Sequence, residues 1–173
     1  MSLFSRRAML AAGGSAALMP LAMRAAPAAA EASKPAPVEG SLVTLRTPIR
    51  AYDSRTDTVL LGGDKIAAED AIIVTVGIPD EKRFLVSVFL NVTVTETEGA
   101  GFLRVFATDP SGTIAPPETS NVNWYDDGQT VANFVLSGVG PEFGVEIYCG
   151  GAGRTHVIVD VQGYVPYQLD LAT

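Results

Sequence analysis

Cysteine, histidine and tryptophan each occur once in the 173 residues, and positive charge is scarce. The lone Cys149 excludes a disulfide framework and a cysteine-based zinc site. It also excludes a lipid anchor at an export cleavage site, because it lies far from the N-terminus. His156 is the one conventional base near neutral pH. Twelve Lys and Arg face nineteen Asp and Glu, a net charge of −7. That balance argues against a nucleic-acid partner, which needs a basic face. A long apolar run is missing too. The stretch from Ala8 to Met23 falls short of the roughly 20 residues that cross a bilayer, and Gly13, Gly14 and Pro20 weaken it. Charged residues make up 18% and hydrophobic ones 47%, so the chain has the means to build one core.

What is present begins with a targeting pattern. Arg6 and Arg7 precede apolar residues, as in a twin-arginine export signal, and Ala28-Ala29-Ala30 offers a small-x-small cleavage site. Residues 1–30 read as a cleaved signal handled by the twin-arginine translocase and signal peptidase. Cleavage after Ala30 removes Arg6, Arg7 and Arg24 and no acid. The mature chain is expected to be more acidic still, extracytoplasmic, and without a membrane span. Residues 31–41, with Pro35 and Pro37, read as a flexible linker.

From residue 42 the pattern has period two. Phe84, Val86, Val88, Leu90, Val92 and Val94 alternate with a more polar set, which places each set on one face of a strand. The run is about 35 Å long, so a bend or bulge is expected within it. Further strands are expected at 42–46, 49–53, 71–76, 102–107, 121–125, 130–137, 145–149 and 155–165. Asp126-Asp127-Gly128 reads as a hairpin turn. The expectation is an all-β fold, a single antiparallel β-sandwich of jelly-roll type over 42–167, with a compact barrel as the alternative. Residues 168–173 form a C-terminal tail.

Several segments carry a family resemblance: Asp53-Ser54-Arg55, Asn91-Val92-Thr93, Gly101-Phe102-Leu103, Asn121-Val122-Asn123-Trp124, Thr130-Val131-Ala132-Asn133 and Thr155-His156-Val157-Ile158-Val159-Asp160-Val161-Gln162-Gly163-Tyr164. Together they resemble an all-β module common in secreted actinobacterial proteins, often appended to peptidases or glycosidases. The usual Asp-Thr-Arg of that module is Asp-Ser-Arg here. The resemblance implies an accessory or surface module and no catalytic residues.

The candidate sites are few. Asp53, Arg55 and Asp160 are charges inside apolar strand sequence, which need partners if buried. Arg55 and Asp160 are expected to pair across the first and last strands as a structural clasp. Within one strand Asp160 lies about 13 Å from His156, too far for a catalytic hydrogen bond, so a structural histidine is expected. Trp124, Tyr125, Tyr148 and Tyr164 are the candidates for a sugar platform, although neighbours on a strand point to opposite faces and one of the first two belongs to the core. Cys149 reads as a buried small hydrophobe. Asn91, Asn121, Asn123 and Asn133 stand where strands disfavour Asn, as buried amides that cap sheet edges or hold loops. Asp53, Asp57, Asp64, Asp109, Asp126 and Asp127 lie near turns without calcium-loop spacing, so no metal residues or other cofactor are assigned, with calcium the one ion to consider.

Three functions fit: a non-enzymatic module acting through protein contact or as a homo-oligomer, a carbohydrate or cell-wall binder, and a carboxylate hydrolase. The partner would be an extracellular protein or glycan. One expectation is testable at once. Replacing Arg6 and Arg7 with Lys should strand the precursor in the cytoplasm, as read by cell fractionation. Continued export and trimming near Ala30 would refute the twin-arginine assignment.

Overall fold

The computed structural model describes residues 41–78, 85–109, 111 and 116–166. The export signal with Arg6, Arg7, Ala28 and Ala30, the linker apart from Ser41, Phe84 and the C-terminal tail lie outside the described residues. Eight strands make up the described chain: β1 (Val43–Asp53), β2 (Ala71–Thr75), β3 (Leu85–Glu98), β4 (Gly101–Ala107), β5 (Val122–Trp124), β6 (Val131–Gly138), β7 (Gly144–Gly151) and β8 (Arg154–Pro166). One 3₁₀ turn, Pro141–Phe143, is the only helical element among them. Between β1 and β2, Ile66 is held by an isolated bridge to Thr155.

The strands form two antiparallel four-stranded sheets, ordered β1-β8-β3-β6 and β2-β7-β4-β5. Each strand has its counterpart from the other end of the chain as a neighbour: β1 with β8, β2 with β7, β3 with β6, β4 with β5. This is one long hairpin folded over on itself, the winding of an eight-stranded jelly roll. The sheets are not closed on each other, so the fold is a sandwich and not a barrel.

The packing follows from the alternation. Val88, Leu90, Val92 and Val94 of β3 and Val157, Val159 and Val161 of β8 point inward with no measurable exposure. They meet Val74, Leu103, Val105, Val145, Ile147 and Cys149 from the other sheet, with Trp124 closing one side of the core. Cys149 is buried as expected, and desolvation pushes its thiol up to about 12.

The long strand departs from simple alternation at both ends. Register shifts fall between Leu85 and Ser87, between Phe89 and Leu90, and between Thr95 and Glu98. At the first of these Leu85 turns inward and Val86 outward, so Val86 leaves the face that its spacing assigns to it. At the last, Glu96 takes φ 53, and Thr95 and Thr97 are both buried. The extra residue of a bulge does this: it re-aims one side chain without ending the strand.

Two other expectations need correction. The stretches 42–46 and 49–53 form one strand, β1, with a register break between Thr44 and Ile49 that accommodates Pro48. The turn at Asp126-Asp127-Gly128 is not a hairpin. Gly128 has the left-handed φ of 69, but the chain crosses from β5 in one sheet to β6 in the other. The turn is tied to β3 by Gly128 N–H to Thr97 O (2.7 Å) and Gln129 N–H to Thr97 Oγ1 (2.8 Å). Turn chemistry sets a reversal of direction; which strand then pairs is settled by the inward-facing residues on either side.

Candidate functional site

β1 ends at Asp53, and its pairing with β8 carries on through Ser54. Ser54 N–H donates to Val157 O at 3.0 Å, and Val157 N–H donates back to Ser54 Oγ at 2.9 Å. This reciprocal pair holds Ser54 with no exposure and sets its hydroxyl 3.0 Å from His156 Nδ1. His156 Nε2 in turn lies 4.0 Å from Glu96 Oε2, on the bulge of β3. Serine, histidine and carboxylate thus stand in line, a constellation that sequence spacing alone did not reveal.

In this geometry the backbone of β8 engages the Ser54 hydroxyl. A nucleophile must reach a substrate, and Ser54 Oγ is sealed while it accepts the Val157 N–H. The Ser54 hydroxyl and His156 Nδ1 share one hydrogen bond, whose donor is set by the imidazole tautomer, and burial favours the neutral ring. Desolvation is the main cause lowering the His156 pKa; Lys65 and Arg55 lower it further, and Glu96 and Asp53 oppose them.

Beside it runs the charged clasp, with different partners from those expected. Asp160 is held by Arg50, with Nε 2.5 Å from Oδ1. Arg50 Nη1 also reaches Asp53 Oδ2 at 2.9 Å, and Arg55 turns back onto Asp53, with Nε to Oδ1 at 2.9 Å and Nη2 to Oδ2 at 2.7 Å. Arg55 and Asp160 do not meet. The reason is register: Arg50 stands directly opposite Asp160, whereas Arg55 lies in the turn beyond the strand. The bond to Arg55 is the main cause lowering the Asp53 pKa. Both arginine side chains are more than two-fifths exposed, so the clasp is a surface network and not a buried pair.

A second ionic group lines a small depression of about 170 Å³ shared with His156. Glu98 receives Lys65 Nζ at 2.7 Å and Arg154 Nε at 2.6 Å. These bonds, Lys65 first, pull its carboxyl down to about 2.

The four aromatic candidates do not share a platform. Trp124 is 1% exposed and Tyr164 5%, so both belong to the core. Tyr125 is 81% exposed and stands apart. Tyr148 lies on the outer face of the second sheet, where its hydroxyl donates to Glu69 Oε2 at 2.7 Å. Of the four asparagines none is buried, and only two hold an edge: Asn121 Oδ1 accepts Val105 N–H at 2.7 Å, and Asn133 Nδ2 donates to Asn121 O at 2.6 Å, while Asn91 lies on the central strand β3 and Asn123 is exposed.

The turn aspartates Asp57 and Asp127 accept backbone N–H groups. Asp57 accepts N–H groups from Val59, Leu60 and Leu61, the last at 2.7 Å. Asp127 Oδ1 accepts Gly99 N–H at 2.6 Å. Among the described residues no three His, Cys, Asp or Glu side chains gather as a metal site. No family model matches the chain, and no curated protein matches it either.

Two outcomes are expected. In a double-mutant cycle followed by thermal melts, Arg50→Ala and Asp160→Ala should couple by about 0.2–1 kcal/mol, the range of exposed pairs, while Arg55→Ala and Asp160→Ala should be nearly additive. A coupling confined to Arg55 would contradict the register.

The second concerns pH. A folded His156 pKa below the unfolded value means that the unfolded chain binds the proton first. Stability is then full above about pH 6.5 and falls as pH drops through the folded value. His156→Gln should flatten the melting temperature between pH 7.5 and 5. An unchanged slope would mean that another group titrates.

Proposed function

We propose that this chain is an extracytoplasmic, non-enzymatic contact module whose first partner is a second copy of itself. The observation that carries this reading is the free edge of the first sheet. From Val131 to Gly138, β6 has neither a charged residue nor a proline, the usual devices that protect an edge. Phe134 and Leu136 are 58% and 59% exposed on its outer face. Phe134 stands opposite Asn91, and its ring lies 5.6 Å from that of Phe89 on the neighbouring strand.

The edge also offers backbone groups. Val139 N–H donates to Val86 O, so by antiparallel alternation the odd residues of β6 bond to β3 and the even ones point away. Asn133 Oδ1 covers the Phe134 N–H, and Ser137 Oγ donates to Gly138 O. Among the described residues no group takes up the outward backbone N–H and C=O of Ala132 and Leu136. Antiparallel pairing of β6 with its copy about a two-fold axis at Phe134 continues the sheet, sets Phe134 beside its equivalent and places Leu136 opposite Ala132 of the copy. The sealed Ser54 supports the non-enzymatic part of the reading, and the acidic charge supports a partner other than nucleic acid.

Sedimentation of the purified chain over a concentration series should show a dimer. Leu136→Lys, which places a charge on the edge, should shift it to monomer without lowering the melting temperature of the monomeric fold. A wild-type chain that stays monomeric, or a dimer indifferent to Leu136→Lys, would refute this reading.

A further inference from the structure

The opposite sheet carries a group of side chains that self-association through β6 does not use. Phe102, Arg104 and Phe106 share the outer face of β4, and Tyr148 of β7 stands opposite Arg104. The guanidinium carbon of Arg104 lies 4.9 Å from the ring centre of Phe102 and 5.5 Å from that of Tyr148. Two aromatic rings grip one cation.

Both rings are themselves fixed. Phe102 lies across Gly150, where a Cβ would fall 2.3 Å from its Cζ, so the absence of a side chain on β7 gives the ring its place. The Tyr148 hydroxyl is held by Glu69 at 2.7 Å. Glu69 adopts φ 68, a conformation uncommon outside glycine, and its N–H bonds Cys149 O at 2.8 Å. A backbone held in this way is an ordering cost located at the group.

What the cation lacks is a counter-ion. Among the described residues Arg104 forms no ion pair, and its Nε is shut off from solvent without a hydrogen-bond partner. Glu69 is engaged by Tyr148, and Glu146 stands opposite Phe106, one step along the ladder. In a chain of net charge −7, an arginine held in place and left unmatched is a site for an anion. The flanking acids and the overall charge disfavour a densely charged polyanion such as a phosphate backbone and admit a short ligand with no more than one carboxylate per ring. Phe102, Phe106 and Tyr148 remain partly exposed beside the cation, a surface that a bare anion leaves uncovered and the apolar face of a sugar ring fills.

We propose that Phe102, Arg104 and Tyr148 bind an acidic sugar, a pyranose carrying a carboxylate. The Nη end of the guanidinium, the part not shut off from solvent, receives the carboxylate and the rings receive the sugar face. The site is independent of the β6 edge.

The test is a calorimetric titration of the purified chain with trigalacturonate and with a glucuronate oligomer, against the neutral galactose trimer and sodium acetate. At least one acidic oligomer should bind about tenfold or more tightly than either control. Arg104→Gln should abolish the preference for acid, and Arg104→Lys should restore part of it, since the charge returns without the fork. Phe102→Leu should weaken the oligomer and leave acetate unchanged, and a melting curve on each variant reads folding separately. Leu136→Lys should bind as the wild type does, so a failure of self-association leaves this result standing. No binding of either acidic oligomer, equal binding of the neutral trimer, or full binding by folded Arg104→Gln would each overturn the proposal.

Discussion

Everything else in this molecule depends on the meeting of two valine-rich faces. β3 and β8 lie side by side at the centre of one sheet, and their inward residues are short, branched and completely buried. Each such side chain contributes about 1.5–3 kcal/mol on leaving water, whereas an exposed ion pair contributes about 0.2–1 kcal/mol. The arithmetic favours the core over the clasp. Arg50, Asp53, Arg55 and Asp160 trim the register of β1 on β8; they do not hold the sheets together.

That core was legible in the sequence because branched side chains repeating every second residue have one good solution, a strand with one dry face. The jelly-roll winding was readable only as a class, since turn residues such as Gly128 mark where the chain reverses and say nothing of the sheet it enters. Bulges were the main source of error. One extra residue near Leu85 sends Val86 outward, and the left-handed Glu96 lets Thr95 and Thr97 both turn inward. Register likewise decided the clasp: Asp53-Ser54-Arg55 drew attention to Arg55, while the partner of Asp160 was Arg50, on the strand itself.

The site residues divide along the same line. Cys149 could be read as buried from its alternation with Val145 and Ile147. Ser54 was missed because its contacts lie about a hundred positions away in the chain. The group around Arg104 did leave a trace: Phe102, Arg104 and Phe106 alternate with Leu103 and Val105, which puts the cation on the same face as both rings. The trace lacked Tyr148 and the bare backbone of Gly150, which only the pairing of β4 with β7 supplies.

The nesting of the strands also decides how the domain responds to tension. Val43 pairs with Tyr164, so the chain enters and leaves the sandwich at the same end, on adjacent antiparallel strands. A pull on the two flanking segments separates β1 from β8 one rung at a time, as a zipper opens, and never loads all the rungs in parallel. The first rungs, at Val43 and Thr44, are isolated by the register break before Ile49. Beyond that gap the peeling front meets the Arg50–Asp160 bond, and there the exposed clasp, minor at rest, becomes the catch that the force must release.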